Sequence, residues 1–247
     1  MGADRLGERI AERERVLSAF VADSRRPLAR ACHEMALRFH RGGRLLCHGE
    51  GGAATDAAHV AVEFMHPVIV GKVALPALAL GNDPTAATNL RRLARPDDIL
   101  IALAHTPAAS REAAGEVARA RDLGLLTILF GCGEPRSDAD FAFDVPSDDE
   151  DVVQEVQETA YHLLWELAHV FLEQPSLLEE VCVTCGDTAV RARIVELDRG
   201  SALVEAEGKR ERVAIDLVER PEVGDLLLCH AGVALERLPS AGASGGE

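Results

Sequence analysis

Residues 43–64 read GRLLCHGEGGAATDAAHVAVEF. A short apolar run, Arg44 to His48, meets a glycine-rich turn, Gly49-Glu50-Gly51-Gly52, and then a helical pattern over 54–64. A strand, a tight turn and a helix in that order form one unit of an α/β fold, whose turn can aim backbone N–H groups at an anion. Upstream, residues 4–22 and 26–41 carry helical spacing: Ile10, Val16, Leu17 and Phe20, then Leu28, Ala31, Met35 and Phe39. Gly42-Gly43 stops the second of these helices. Downstream, short apolar runs at 76–80, 98–104, 126–130 and 141–145 predict strands, with helices at 109–122 and 151–173. Continuous apolar strands joined by helices predict a parallel sheet covered on both faces.

Beyond Pro175 the period changes. Residues 189–197, 202–206, 211–218 and 226–229 alternate apolar with polar. Over 211–218 the alternation puts Val213, Ile215 and Leu217 on one side and Arg212, Ala214 and Asp216 on the other. Breaks at Asp198-Arg199-Gly200, at Gly208 and from Pro221 to Gly224 leave short strands, as in a small antiparallel barrel. The boundary falls near 175–181, which predicts a first domain over 1–178, a barrel over 179–238 and a disordered tail over 239–247.

Composition narrows the function classes. The net charge is −15 and aromatics are 4% of the 247 residues, which argues against phosphate-backbone binding and base stacking. No apolar run reaches the roughly 18 residues of a membrane span. The first residues, MGADRLGERIAERER, lack the apolar core of a secretory signal, so a cytoplasmic protein is expected. The cysteines are then thiols, metal ligands or catalytic groups. Cys32, Cys47, Cys132 and Cys229 lie in or beside apolar runs and are expected to pack as small hydrophobes; His33, His40, His66 and His169 are read as surface or packing residues.

His59 and Glu63 stand four apart, so an imidazole and a carboxylate share one helical face. A later segment supplies Pro146-Ser147-Asp148-Asp149, then Gln154-Glu155-Val156, then His162. On these pieces residues 26–173 resemble the SIS (sugar isomerase) domain of the phosphoheptose isomerase family, which has a flavodoxin-like fold. The resemblance implies a zinc or other divalent metal held by His59, Glu63, Gln154 and His162. It implies Glu63 and His162 as acid and base of an aldose–ketose isomerisation, and a homo-oligomer. On a straight helix Gln154 and His162 would lie about 12 Å apart, far for two ligands of one ion.

The chain also departs from that family. Ala53 replaces the serine after the glycine pair, and Ala104-His105-Thr106-Pro107-Ala108-Ala109 replaces a hydroxyl-rich phosphate loop. Glu150 stands where a threonine is expected. Charge-assisted hydrogen bonds contribute about 1.5–3 kcal/mol each, so these losses predict a retained metal cage and a lost phosphate cradle. The substrate contacts implied at Gly51, Gly52, Ala53, Thr106 and Asp149 are correspondingly reduced.

Residues 190–238 contain Ile194-Val195-Glu196-Leu197-Asp198, then Val213 to Val218, then VGDLLLCHAGVALERL over 223–238. These resemble the HypC/HupF family of [NiFe]-hydrogenase assembly chaperones, whose fold is a small OB-like barrel. The resemblance implies an Fe(CN)2(CO) cargo held by a cysteine and by His230. Partners would be the hydrogenase large-subunit precursor and other maturation proteins. Cys182 is the implied thiolate and Cys185 its rival; Cys182-Val183-Thr184-Cys185 is also a C-x-x-C pair. The leading expectation is a hydrogenase assembly chaperone with a fused SIS domain. A metal-dependent sugar isomerase and a metabolite-sensing module are the alternatives.

Overall fold

The structure, a computed structural model, describes residues 2–81, 86–133, 137–174, 178, 190–206, 208–230 and 232–238. The first unit contains α1 (Gly2–His40), β1 (Leu45–Gly49), α2 (Ala53–Met65), β2 (Ala77–Ala79), α3 (Ala86–Leu93) and β3 (Ile99–Leu103). It continues with α4 (Pro107–Asp122), β4 (Leu126–Cys132), β5 (Phe141–Val145) and α5 (Glu150–Glu173). The five strands pair in parallel in the order β2-β1-β3-β4-β5. Every residue of β1, β3 and β4 is buried, which is why these runs read as unbroken apolar stretches. One core joins α1, α2 and α5 to one face of the sheet, through Phe20, Met35, Phe64 and Trp165. A second, built around Leu90, Leu100 and Val117, fills the other face.

Two helices expected at 4–22 and 26–41 are one continuous helix, with Pro27 inside it. An interior proline removes a hydrogen bond and crowds the preceding turn, at a cost of about 3 kcal/mol. Here Val16 and Phe20 before it and Leu28, Ala31, Cys32 and Met35 after it are all buried in one core. That continuous stripe offsets the local penalty. α3 was not foreseen.

The second unit is a closed barrel of β6 (Val190–Asp198), β7 (Ser201–Ala206), β8 (Lys209–Ala214), β9 (Leu226–His230) and β10 (Val233–Leu238). Its order is β10-β8-β7-β6-β9. The expected antiparallel pairing holds except at the closure, where Val233 of β10 pairs in parallel with Ala214 of β8. The strand predicted over 211–218 ends at Ala214, and Leu217 is exposed. Ala214, expected to face outward, is buried, because with Val233 and Leu235 it joins the core that holds α1 and α5. An Arg25–Glu236 pair at 3.5 Å and a bond from Gln174 Nε2 to the Gly200 carbonyl at 3.2 Å also link the units. β10 was not among the expected strands.

Cys32, Cys47, Cys132 and Cys229 are buried free thiols, as expected. The expected boundary at 178/179, the tail over 239–247, and Cys182 and Cys185 lie outside the described residues, apart from Leu178 and Leu238 at their edges. Among the described residues no helix is long and apolar enough to cross a membrane.

Candidate functional site

The strand order 2-1-3-4-5 reverses direction between β1 and β3, and in open parallel sheets ligands bind outside the carboxyl ends of the strands at such a point. The loops after β1 and β3 flank that point, and the loop after β5, at the sheet edge, leads into α5. The first is the glycine turn after β1. A side chain at Gly49 would collide with the Ala53 carbonyl, and Gly51 has φ +58°. Both positions therefore require glycine. The second loop, after β3, carries His105. The third, after β5, runs through Pro146 to Asp149, which caps α5.

α2 and α5 descend from these loops side by side. Trp165 Nε1 on α5 donates to the Glu63 carbonyl on α2 at 2.9 Å, and Gln154 Nε2 donates to Asp56 Oδ1 at 3.2 Å. Asp56 lies opposite Gln154, and Glu63 opposite Trp165, so both helices run the same way. His59, Glu63 and His162 fall in the middle of this seam. One donor atom from each lies within 4.8 Å of the others, and all three are partly exposed. His59 Nε2 is 3.3 Å from Glu63 Oε1, and the His59 and His162 rings are 5.3 Å apart. Two imidazole nitrogens and a carboxylate with an open side fit a divalent metal of the zinc type.

Gln154 is two turns up α5 from His162, engaged with Asp56. α5 starts at Glu150, before Gln154, so the separation of about 12 Å along the helix stands. Within one chain the structure brings together three of the four expected ligands. Glu63 and His162, the expected acid and base, belong to that trio.

Sequence reasoning missed the residues that steady it. Tyr161 is buried, and its hydroxyl is 3.0 Å from His59 Nδ1. Burial, and then the charges of Asp56, Glu158 and Glu63, push the phenol above its ordinary range, so it stays protonated. Asp56 has a detectable signal, since it lies three residues before His59 on the same helical face. His105 has none: its Nε2 is 2.9 Å from Asp56 Oδ2, a partner 49 residues earlier in the chain.

Of the expected substrate contacts, Ala53, Thr106 and Asp149 are engaged locally. Ala53, Ala54 and Thr55 turn their N–H groups back to the carbonyls of Glu50, Gly51 and Gly52. Thr106 Oγ1 accepts from Ala109 N as the cap of α4, and Pro107 has no N–H. Asp149 accepts from the N–H groups of Asp151 and Val152. A carboxylate already fills the N-terminus of α5.

In the barrel, His230 ends β9 and is 2% exposed. Neighbouring Cys229 is buried, and its thiol is pushed up to about 12 by burial and then by Glu211. Whether a cysteine from 182–185 approaches His230 lies outside the described residues.

Residues 10–128 match the model of the SIS domain, and residues 188–244 match that of the HupF/HypC family. The phosphoheptose isomerase of Desulfovibrio desulfuricans is 32% identical over 175 residues, 64% of this chain and 83% of that protein. The phosphoheptose isomerase of Thermodesulfovibrio yellowstonii is 31% identical over 68% of this chain and 92% of its own length. Among solved structures, a phosphoheptose isomerase from Neisseria gonorrhoeae superposes with a TM-score of 0.60 at 20% identity, over 68% of this chain and 98% of that one. One from Francisella tularensis gives 0.59 at the same identity and coverage of this chain, and 98% of its own. Their likeness is one of fold. The chain belongs, through its α/β unit, to the phosphoheptose isomerase family of SIS-domain proteins, and its C-terminal residues 188–244 match the model of the HupF/HypC family.

Proposed function

We propose that this protein is an assembly factor for [NiFe]-hydrogenases, a chaperone whose barrel handles the Fe(CN)2(CO) group or the large-subunit precursor. The observation that carries the reading is the HupF/HypC match over residues 188–244, which includes His230. In this reading the iron group is cargo, bound by a thiolate from Cys182 or Cys185 together with His230. Thiolate is a soft ligand suited to low-spin iron, and a neutral imidazole can complete the contact. Partners are the hydrogenase precursor and other maturation proteins, and the setting is the cytoplasm. The functional division falls at 178/179.

In the same reading the α/β unit is a metal-bearing platform. His59, Glu63 and His162 hold a zinc or similar ion, and Gln154 joins them only if the seam rearranges or a second subunit contributes. A homo-oligomer is supported by the apolar segment after α2, where Val68 and Val70 are 79% and 100% exposed.

A second reading is favoured by the trio itself: an aldose–ketose isomerase. A bound divalent ion would polarise a carbonyl. Glu63 and His162 can each take up and release a proton, as transfer between adjacent carbons requires. A sensor that binds its ligand without turnover uses the same residues.

The test of the leading reading is infrared spectroscopy and metal analysis on protein purified without oxygen from its host. Cyanide and CO bands with bound iron, lost in Cys182→Ala or His230→Ala along with hydrogenase activity, are expected. Intact hydrogenase activity in both variants would refute the assembly role. Divalent metal without such bands, lost in His59→Ala, would transfer the weight to the isomerase reading.

A further inference from the structure

We propose that the α/β unit is a built-in cover for the barrel face that carries His230, and that the barrel must lift off α1 before this histidine can work. The inference rests on the assembly reading for what His230 does, and on geometry alone for its being covered.

The register of the barrel decides which way His230 points. Residues directly opposite each other on paired strands share a face of the sheet, and neighbours along a strand take opposite faces. His230 on β9 lies opposite Val233 on β10, and Val233 lies opposite Ala214 on β8. Their strand neighbours Cys229, Ala234 and Val213 fill the barrel's own core. His230, Val233 and Ala214 therefore form a row on the outside of the barrel. Outward positions on a small barrel ordinarily meet water: Arg191 and Arg193, outward on β6 beside β9, are exposed. This row is not. His230 is 2% exposed with both ring nitrogens buried, and Val233 and Ala214 are buried with it.

The other unit supplies the covering. Ala214, Val233 and Leu235 belong to the core of α1 and α5 and not to that of the barrel. α1 packs on both β9 and β10. Polar links at the edge of this contact include the Arg25–Glu236 pair and the bond from Gln174 to the Gly200 carbonyl. Arg25 and Glu236 are 45% and 42% exposed, and so exposed a pair contributes little. Domains of one chain move relative to each other unless their interface is large and apolar. A contact made of Ala214, Val233, Leu235 and such links is modest, so it can close over His230 and still release it.

A buried imidazole cannot reach a metal group or a partner chain. Use of His230 in assembly therefore draws on an open state, and apparent affinity is reduced by the fraction of molecules that are open. Anything that holds α1 away from the barrel raises that fraction.

The test begins with diethyl pyrocarbonate labelling of the full chain, read histidine by histidine by mass spectrometry. His40 and His66 are exposed references, and His48 and His169, buried in the α/β unit, report on unfolding. His230 should label at least about tenfold more slowly than the references. The double variant Arg25→Glu, Gln174→Glu removes both links from the α/β side and leaves the barrel sequence intact. It should speed His230 labelling at least about fivefold while His48 and His169 stay protected. Leu235→Asp, which places a charge in the contact, should do the same from the barrel side. Rapid labelling of His230 in the wild type would overturn the proposal, as would slow labelling that neither variant changes. Purified hydrogenase large-subunit precursor then probes use: the double variant should bind it at least about fivefold more tightly than the wild type. Equal binding despite faster labelling would overturn the need for opening. Labelling requires no partner, so failure of the assembly reading shows separately. In that case the precursor binds neither form and His230→Ala leaves hydrogenase activity intact, while the labelling still decides whether the face is covered.

Discussion

The two ends of the parallel sheet treat buried polar groups in opposite ways. At the amino ends they are consumed. Asp98, 1% exposed, accepts from Arg44 N at 2.9 Å, from the Arg44 guanidinium at 2.6 and 3.2 Å, and from Arg95 N at 2.9 Å. Asp140 and Thr127 exchange three bonds of 2.8–3.0 Å between the starts of β4 and β5. At the carboxyl ends, Gln157 keeps a buried Oε1 without a hydrogen bond, Asp56 and His105 meet only each other at 2.9 Å through Oδ2 and Nε2, and the metal trio lies just below. The same strands thus have one end tied up in hydrogen bonds and one end, beside the metal trio, less fully bonded. Polar groups in a fold are satisfied wherever nothing else is asked of them, and the exceptions mark the working end.

The comparison can be broken by substitutions at each end. Asp98→Ala should have the largest effect, about 3–5 kcal/mol of lost stability in urea denaturation, because it strands the Arg44 charge and two backbone donors. The folded fraction should bind zinc normally. A loss under about 1 kcal/mol would mean the amino end is no more committed than the other. His59→Ala should do the reverse: zinc affinity in a chelator competition falls at least about 100-fold, with little change in the urea midpoint. Tyr161→Phe should lower zinc affinity by roughly tenfold, as removal of a group that orients a ligand does. Unchanged affinity would make Tyr161 a packing residue only.

Between the two ends the sheet is dry, and pH tests that. Burial pushes the thiol of Cys47 in β1 well above its ordinary value, and in the separate barrel it pushes that of Cys229 on β9 up to about 12. The unfolded chain loses these protons near pH 9 while the folded chain keeps them. The stability they confer is complete below that pH and is lost as pH rises toward the folded values, at about 1.4 kcal/mol per pH unit for each thiol. Urea midpoints at pH 8, 9.5 and 11 should fall accordingly; a flat profile would show water at these thiols. The smallest effect is expected from Thr106→Ala, about 1 kcal/mol, through loss of the α4 cap. A gain of phosphate binding in that variant would show that the hydroxyl had been the obstacle.

Much of this was legible in the sequence. The unbroken apolar strands, the glycine turn, and the i, i+4 pair of His59 and Glu63 are local patterns, and the motifs around His162 and over 223–238 placed the two parts of the chain in their families. Pro27 misled, because a proline argues locally for a helix boundary while the core stripe on both sides of it is a long-range fact. Ala214 misled for the same kind of reason: its burial comes from the parallel closure of the barrel and from α1. Gln154 has the right residue type and spacing, yet its amide is given to Asp56.

The sequence by itself determined the α/β unit, the change of period near 175, and the candidate ligands on α2 and α5, because helix and strand periods put chemistry on faces a few residues apart. The tertiary structure alone decided which candidates meet. It brought α5 beside α2 so that His162 joined His59 and Glu63, set Tyr161 behind His59, and laid His105 across the glycine turn onto Asp56. Contacts between residues 49 or 102 positions apart depend on how two elements pack, and packing is a property of the whole core.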